Sequence, residues 1–256
     1  MSTFADLSPI SLEELVERAS LQTRTDRKYV VPVAAAGDLR RLVGPRARVL
    51  ELGGRRGFGY DSTYFDTPDL ASYRMAAHSR RRRFKLRTRS YAETGTCFWE
   101  VKLRGMREAT VKDRIEHPAD QPDRLTPAAS AFSAELLTAA RIEGVDVADV
   151  HPTLRTTYRR TTLLMPDAAS RVTVDAGLVW ESADGRRVCA GDVLVVETKT
   201  APGSSDLLDR RLWALGHRPV RLSKYATGMS LLHPDLPGNR WHSTRQRRLR
   251  AGSPER

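Results

Sequence analysis

Apolar and charged side chains alternate regularly along the chain from Arg83 to Arg104, with a short loop at 92–96 in the middle. In a β-strand successive side chains point to opposite faces. Phe84 and Leu86 therefore share one face of the first segment, and the basic residues around them share the other. The second segment repeats this arrangement from Trp99 onward. The pattern predicts a β-hairpin with one apolar face and one face dense in cations, which water or anions must stabilise.

The same two-residue period recurs elsewhere and predicts about eight strands, mostly antiparallel. Besides the hairpin, the strand-like segments are 25–31, 60–70, 110–116, 154–164, 171–175, 179–182 and 193–199. A capping box formed by Ser11 and Glu14 predicts a helix over 11–19. Further helical patterns cover 34–43, 70–77, 126–143 and 204–216. The Gly-rich run 53–59 lacks the Gly-Lys-Ser/Thr ending of a phosphate-binding loop, so it predicts a flexible turn.

Basic residues outnumber acidic residues on the charged faces of these strands. The basic residues placed on them by the alternation are Lys28, Arg87, Arg89, Lys102, Arg104, Lys112, Arg114, Arg160 and Lys199. If the sheet closes into a barrel, these side chains line its interior. Unpaired buried charges are very costly, so such an interior would hold water and a polyanion.

The composition points to an anionic partner. The 256 residues carry 43 Lys and Arg against 31 Asp and Glu, a formal net charge of +12, which fits nucleic acid, an anionic membrane surface or a polyanionic substrate. Six Arg and one Glu follow Leu236, so most of the excess belongs to the body. Cys97 and Cys189 have no metal or redox spacing, and no signal peptide or long apolar run is present. We expect a reduced, cytoplasmic, soluble protein.

Eight short motifs follow one another along the chain. They are Lys28-Tyr29, Tyr60-x-Ser-x-Tyr-Phe-Asp-Thr-Pro, Arg87-x-Arg-x-Tyr91, Glu100-Val-Lys102, Lys112-x-Arg114, Tyr158-x-Arg160, Glu197-x-Lys199 and Ser223-Lys-Tyr-x-x-Gly228. Over residues 20–233 this series resembles the VTC domain, the polyphosphate polymerase domain of the vacuolar transporter chaperone family. That family is a branch of the triphosphate tunnel metalloenzymes, which are CYTH-like.

The resemblance implies an α+β fold, in which about eight antiparallel strands form a closed β-barrel with flanking helices. We accordingly expect an N-terminal helix at 1–20, a VTC-type tunnel domain at 21–235 with a helical insert near 126–143, and a basic disordered tail at 236–256. The tunnel would bind triphosphate and polyphosphate together with a divalent metal ion, Mn²⁺ or Mg²⁺.

The resemblance and the cationic faces together predict the site residues. The residues expected to act in catalysis are Lys28, Arg87, Arg89, Lys102, Arg160 and Lys224. Those expected to contact phosphates are Lys85, Arg104, Lys112, Arg114, Tyr158, Lys199 and Arg221. Arg offers a planar fork to phosphate oxygens and Lys a point charge, so each role is chemically reasonable.

The resemblance makes Glu197 the metal ligand, with Glu100 and Asp175 as further candidates. Each has an alternative: Lys199 could pair with Glu197, Glu100 could orient Lys102, and Asp175 could be a turn residue at the end of its strand. A hard divalent cation prefers carboxylate and phosphate oxygens. The histidines show no ligand spacing.

The leading functional hypothesis is a metal-dependent polyphosphate polymerase that transfers the γ-phosphoryl group of ATP to a growing polyphosphate chain. The alternative is a tunnel triphosphatase that hydrolyses inorganic or nucleoside triphosphate. The CYTH relatives carry Glu-x-Glu-x-Lys where this chain has Arg24, Asp26 and Lys28, and loss of the first acid weakens that alternative. The SPX domain and transmembrane helices of the eukaryotic proteins are missing, so any membrane coupling, at the inner face of a membrane, would use another polypeptide.

A third hypothesis is a nucleic-acid-binding module built on the basic runs 80–89 and 245–250. Basic runs of this kind are often only solvated faces or localisation signals. Alternation turns half of the first run inward, so nucleic acid ranks well below the two enzymatic hypotheses.

Overall fold

The computed structural model describes residues 3–18, 25–104, 110–166, 170–201, 205, 207–247 and 249. These residues form eleven strands: β1 (Ser8–Ile10), β2 (Thr25–Pro32), β3 (Arg48–Leu50), β4 (Phe58–Asp66), β5 (Arg83–Tyr91), β6 (Thr96–Arg104), β7 (Thr110–His117), β8 (His151–Leu164), β9 (Arg171–Ser182), β10 (Arg187–Cys189) and β11 (Val193–Thr200). The α-helices among them are α1 (Leu12–Arg18), α2 (Ala36–Val43), α3 (Ala71–Ala77), α4 (Pro127–Ala139), α5 (Leu207–Ala214), α6 (Lys224–Leu232) and α7 (His242–Arg247). None of the described helices is long and apolar enough to cross a membrane.

Eight of the strands form one continuous antiparallel path. Its order is β2-β11-β9-β8-β4-β5-β6-β7, while β1 pairs in parallel with β3 beside it. The α+β class and the antiparallel sheet are therefore confirmed. Hydrogen bonding does not close the described strands into a barrel, because β2 and β7 are the two ends of the path.

The sheet is nevertheless strongly curled. Lys28 on β2 and Lys102 on β6 line the same cavity, although these strands lie near opposite ends of the path. The segment just before α6 bridges the seam between them: the backbone N–H of Val220 donates to Lys28 O at 2.7 Å, and Lys85 Nζ on β5 donates to Ser223 Oγ at 2.9 Å. Side chains and a loop thus complete the tunnel wall where strand pairing ends.

Buried apolar side chains occur on both faces of the sheet. On the convex face, α2 and α5 cover the strands around β2, β11 and β9 through a cluster that includes Tyr29, Val196 and Leu212. Helix α4 covers β5 and β6 through Leu137, which packs with Trp99 and their neighbours. Because these helices cover the convex face, the charged side chains of β5 and β6 point to the concave side.

The concave face is partly filled by helices. Helices α3 and α6 and the segment around Trp241 pack there against Tyr64 and Trp180 in a single apolar cluster. Thr126 caps α4 as its sequence predicts, accepting a hydrogen bond from the N–H of Ala129. Helix α6 was not predicted, because the sequence there shows only a short apolar run; Ser223 caps its first turn.

Two predicted features are corrected by the structure. The segments 171–175 and 179–182 belong to one continuous strand, β9. Gly177, between them, has a φ of 62°. It lies in a β-bulge opposite Tyr158, where the β8–β9 register shifts and the strand continues. Disorder beyond 236 is wrong for 239–247, which form a 3₁₀ turn and α7. Trp241 is buried there, and its burial offsets the entropy of ordering the segment. The remainder of the tail falls largely outside the described residues.

Asp66, within the Asp-Thr-Pro-Asp sequence, joins the two concave-side helices. This fully buried carboxylate accepts hydrogen bonds from the backbone N–H groups of Thr67 at 2.9 Å, Ser72 at 2.8 Å and Tyr73 at 2.9 Å. It also accepts one from the Tyr225 hydroxyl in α6 at 2.6 Å. One side chain therefore caps α3 and fixes α6 against it.

Asp66→Ala is expected to lower the free energy of unfolding by about 3 kcal/mol or more, because several buried donors lose their acceptor together. Urea unfolding followed by circular dichroism measures this. Asp69→Ala is the matched control, since the Asp69 side chain is exposed and accepts from the Thr67 hydroxyl, and its loss should cost less than about 1 kcal/mol. Equal losses in the two variants would contradict this role for Asp66.

Candidate active site

Tyr158 lies at the centre of a group of cations on the concave face. Lys224 Nζ is 4.3 Å from its ring centroid, the Arg160 guanidinium carbon is 5.3 Å away, and the ring stacks on Tyr60 at 5.2 Å. Its hydroxyl is buried and has no hydrogen-bond partner among the described residues. Burial alone would raise the pKa of Tyr158, but Arg89, Arg160 and Lys224 outweigh burial and lower it. We call Tyr158, Arg160 and Lys224 the Tyr158 cluster.

Asp175 holds two members of this cluster in place. It accepts from Arg160 Nε at 2.6 Å and NH2 at 2.8 Å, and Lys224 Nζ lies 2.5 Å from Oδ2. Burial opposes ionisation, yet Arg160 and Lys224 lower the pKa of Asp175 to about 2. Asp175 lies within β9, so the alternative of a turn residue at a strand end is wrong. Both of its oxygens already face cations, which makes it a positioning group in this arrangement.

Glu100 plays the same part on the neighbouring strands. Arg87 Nε donates to Glu100 Oε2 at 2.7 Å, Lys112 Nζ lies 2.5 Å from Oε1, and Arg87 NH1 donates to the Tyr64 hydroxyl at 3.1 Å. Against the effect of burial, Arg87, Arg89 and Lys112 hold the pKa of Glu100 well below its usual range. The carboxylate contacts Arg87 and Lys112, so it orients these residues, not Lys102 as one alternative expected.

Arg89 is buried between these two groups. Its Nε lies 3.9 Å from Glu100 Oε2 and 3.4 Å from Ser62 Oγ, and its guanidinium carbon is 5.2 Å from the Tyr60 ring centroid. These contacts are looser than those of Arg87, so more of the Arg89 guanidinium remains available to an anion.

A cavity of about 380 Å³ opens from the concave face toward the solvent and is called here the tunnel cavity. Among its lining residues are Asp26 and the cations Lys28, Lys85, Lys102, Arg104 and Arg221. Lys28 Nζ donates to Leu222 O at 3.0 Å. The chain thus surrounds a water-accessible space with basic groups from β2, β5, β6 and the segment before α6.

The lysines of this region repel one another. Burial first, and then Lys28 and Arg87, lower the pKa of Lys102 to about 8, although Glu197 and Asp26 act in the opposite direction. Burial also lowers the pKa of Lys85, where Lys102 and Lys28 add to the effect. Burial lowers the pKa of Lys112 to about 8 despite the contact with Glu100. An anion bound here would relieve this repulsion.

Of the three candidate metal ligands, Glu197 has the loosest contact with a cation within the described part of the chain. Its Oε1 lies 3.8 Å from Lys199 Nζ, and its carboxyl group is mostly buried on β11. Burial raises its pKa, but Lys199, Lys28, Arg160 and Lys224 hold it well below the usual range. It is therefore ionised and lies near enough to these cations to interact with them electrostatically.

A metal ion with a complete protein cage does not fit this site. Among the residues that the structure describes, no three His, Cys, Asp or Glu side chains converge. Mg²⁺ and similar ions often need only one or two carboxylates when substrate phosphates and waters supply the other ligands. Glu197 fits that kind of site, whereas Glu100 and Asp175 have both oxygens directed at Arg or Lys.

The remaining predicted residues lie outside the groups held by Asp175 and Glu100. Arg104 and Arg221 line the tunnel cavity. Arg114 stacks on Phe98, with its guanidinium carbon 4.4 Å from the ring centroid, and Lys199 lies beside Glu197. Arg24, which separates the chain from the CYTH pattern, lies outside the described residues.

Several residues of the site were not found from the sequence. Tyr60 and Tyr64 stack or bond with the cations, and their spacing of four residues, an even number, could have placed them on the concave face. Gly228 lets α6 pack closely: a Cβ there would collide with the Trp180 ring. Trp180 Nε1 donates to Lys224 O at 2.7 Å, so the Ser-Lys-Tyr-x-x-Gly motif fixes Lys224 in the Tyr158 cluster.

The first basic run divides as alternation predicts. Arg87 and Arg89 face the concave side and Arg83, on the same parity, lines the tunnel cavity, whereas Arg82, on the opposite parity, donates from NH1 to Arg141 O at 3.2 Å. Half of this run therefore points inward, which does not favour a separate nucleic-acid surface.

A curled antiparallel sheet that surrounds a cavity of converging Arg and Lys side chains defines an anion-binding tunnel protein. Residues 23–233 match the family model described as VTC domain. This match spans most of the sequence, and the chain belongs to the VTC domain family, which confirms the resemblance of its motifs. A comparison with curated proteins gives no match.

Solved structures with a similar chain course come from several organisms. A candidate adenylate cyclase from Vibrio parahaemolyticus is 14% identical, with a TM-score of 0.45 over 82% of this chain and 98% of that chain. One from Bacillus halodurans is 13% identical, with a TM-score of 0.49 over 79% and 94%. A candidate adenylyl cyclase from Hippeastrum, described as having a dominant triphosphatase activity, is 14% identical, with a TM-score of 0.47 over 81% and 96%. Identities this low say nothing about activity, so the functional argument rests on the site and the family.

Proposed function

We propose that this protein is a metal-dependent polyphosphate polymerase that transfers the γ-phosphoryl group of ATP to a polyphosphate chain. The observation that carries the proposal is the length of the cationic row. Along β5 alone, Arg83, Lys85, Arg87 and Arg89 face the concave side, and with a rise of about 3.3 Å per residue they span about 20 Å. Such a row can accommodate more linked phosphates than a triphosphate contains, and VTC family membership supports the same substrate.

In the proposed reaction a terminal oxygen of the polyphosphate attacks the γ-phosphorus of ATP. A new P–O bond forms, the bond from the γ-phosphorus to the β,γ-bridging oxygen breaks, and ADP leaves with that electron pair. Catalysis of phosphoryl transfer is mostly positioning and charge stabilisation. Arg89, Arg160 and Lys224 would stabilise the charge that spreads over the transferred group.

Other residues of the chain would keep these groups in place. Asp175 orients Arg160 and Lys224, and Glu100 orients Arg87. The Tyr158 hydroxyl, which lacks a partner within the described part of the chain, would donate to a phosphate oxygen. Because the site is ordered by its own acids, little reorganisation is needed when substrate binds.

Glu197 would hold the divalent metal ion together with substrate phosphate oxygens. When bound, such an ion neutralises charge on those oxygens. Glu197 and Lys199 would share this part of the site, with Lys199 on the phosphate side.

The decisive experiment incubates the protein with ATP and Mn²⁺ and analyses the products. Acid-labile polymer together with ADP supports the polymerase. Release of free phosphate without polymer would instead support a tunnel triphosphatase, the alternative that shares this site. Neither product, together with no binding of triphosphate, would contradict both proposals.

The affinity for triphosphate is expected to depend on pH near 8. The pKa of Lys102 and that of Lys112 are each lowered to about 8, so both side chains are cationic below this pH and lose charge above it. Binding of an anion should therefore be tighter at pH 7 than at pH 9, by about tenfold if one charged contact is lost. Calorimetric titrations with triphosphate over this range measure the change.

The variant Lys102→Met separates Lys102 from the other titrating groups. It should bind triphosphate more weakly at pH 7 and show a smaller decline toward pH 9, and Lys102→Met/Lys112→Met should remove most of the decline. A pH dependence that is the same in all three proteins would contradict the assignment.

A further inference from the structure

A segment that follows the family domain lies at the opening of the tunnel cavity. The family match ends at residue 233, and we define the C-terminal segment as residues 237–247. Trp241 is only 2% exposed, and its ring centroid lies 5.8 Å from that of Tyr73. The Tyr73 hydroxyl donates to Pro237 O at 3.0 Å, and Thr244 Oγ1 donates to Arg221 O at 3.0 Å. The segment is therefore anchored on α3 and on the strip before α6.

This anchoring brings Arg240 to the tunnel cavity. Arg240 lines the cavity together with Arg104 from β6 and Arg221, and its guanidinium donates to the Ser79 hydroxyl. Burial first, and then Arg221 and Arg104, lower the pKa of Arg240. Three guanidinium groups from separate parts of the chain thus face one opening, where their mutual repulsion favours an anion between them.

Arg104 at the opening is far from Arg89. Arg104 pairs with Arg83 at the start of β5, while Arg89 lies six residues further along that strand, a distance of about 20 Å. A triphosphate bound at Arg89 is too short to reach Arg104 and, near it, Arg240. A longer chain of linked phosphates can occupy both places together.

We propose that Arg104, Arg221 and Arg240 form a second phosphate subsite at the tunnel opening, completed by the C-terminal segment, which gives the protein a preference for long polyphosphate over triphosphate. This inference rests on the proposed function and adds the selectivity for chain length. The subsite binds phosphates remote from the reacting group, so it acts on affinity and retention of the polymer and does not touch the transferred phosphoryl group.

The test is the variant Arg240→Gln, with binding of sodium tripolyphosphate and of a polyphosphate with several tens of phosphates measured by calorimetry at constant salt. The affinity for the long chain should fall by about tenfold, the effect of losing one charged hydrogen-bonding contact, and that for tripolyphosphate by less than twofold. Arg187→Gln is the control, because it removes the same charge from an exposed position on β10 and should leave both affinities unchanged. Thermal unfolding checks that the variants fold alike.

Equal losses for both ligands, or no loss for the long chain, would overturn the subsite. These results differ from failure of the proposed function, in which the unaltered protein binds neither ligand or makes no polymer. A loss of long-chain affinity in Arg187→Gln of the same size would also overturn it, because general charge would then explain the effect.

Discussion

Replacing Arg89 with alanine is expected to lower the turnover of polymer synthesis by about 10²-fold or more, the usual scale for one preorganised electrostatic contact. Arg89 is 7% exposed and lies over the Tyr60 ring near Tyr158, where the transferred phosphoryl group would sit. Its nearest carboxylate oxygen is 3.9 Å away, so its removal leaves no tightly paired acid behind. The folded state should therefore survive while the reaction slows.

Arg87→Ala is expected to slow the reaction to a similar degree but also to destabilise the protein. Arg87 is bound to Glu100, which is 1% exposed, and removing one partner of a buried ion pair is strongly destabilising. Steady-state rates and urea unfolding measured on both variants separate the two effects. Arg155→Ala is the matched control, since Arg155 pairs with Asp61 on the exposed side of β8. Undiminished synthesis in Arg89→Ala would count decisively against the proposed site.

Glu197→Gln is expected to lower turnover by at least about 10²-fold, because it removes the carboxylate proposed to hold the metal ion. The substitution keeps the shape of the side chain. Titrations of triphosphate with and without Mn²⁺ give an independent readout: the part of the affinity that depends on Mn²⁺ should be lost. Glu135→Gln on the outer helix α4 provides a control of equal charge change.

The same variant distinguishes the metal role from simple pairing with Lys199. If Glu197 only neutralises the neighbouring lysines, its removal makes the site more positive. Triphosphate should then bind more tightly without metal, and the effect of Mn²⁺ should persist. That result would rule out Glu197 as the metal ligand.

The site balances cations against two buried acids. Asp175 and Glu100 each bind cations from a neighbouring strand or helix, which offsets part of the repulsion among the basic groups. The acids do not cancel the whole charge, as the lowered pKa of Lys102 indicates. The remaining positive charge is what the proposed polyanionic substrate would neutralise.

Much of the site could be derived from local pattern. The period of two placed Lys85, Arg87 and Arg89 on one face, and their cross-strand partners in β6 followed from the short hairpin loop. The sequence likewise predicted that Thr126 caps the start of α4. These features depend on neighbours in sequence, and their geometry is fixed by backbone stereochemistry alone.

Other features depended on contacts between distant parts of the chain. Lys224 reaches Asp175 across 49 residues, and the segment around Ser223 meets Lys85 across 138 residues. The helix α6 that carries Lys224 follows a sequence without a clear helical period, and its position is set by Trp180, Asp66 and Gly228. Asp175 could therefore be seen as a candidate acid, but its role in orienting Arg160 could not.

By itself the sequence determined the eight strands of the antiparallel path, with β9 in two parts and without β1, β3 and β10, the side of these strands that carries charge, and the family to which the chain belongs. Tertiary structure alone decided that the sheet curls without closing, that the strip before α6 bridges its seam, and that the C-terminal segment is ordered at the opening. The physical reason is that the alternation of side chains is a property of each strand by itself. The curvature of the sheet, the bridging of its seam and the docking of the C-terminal segment depend on apolar surface that α3, α6 and Trp241 bury together.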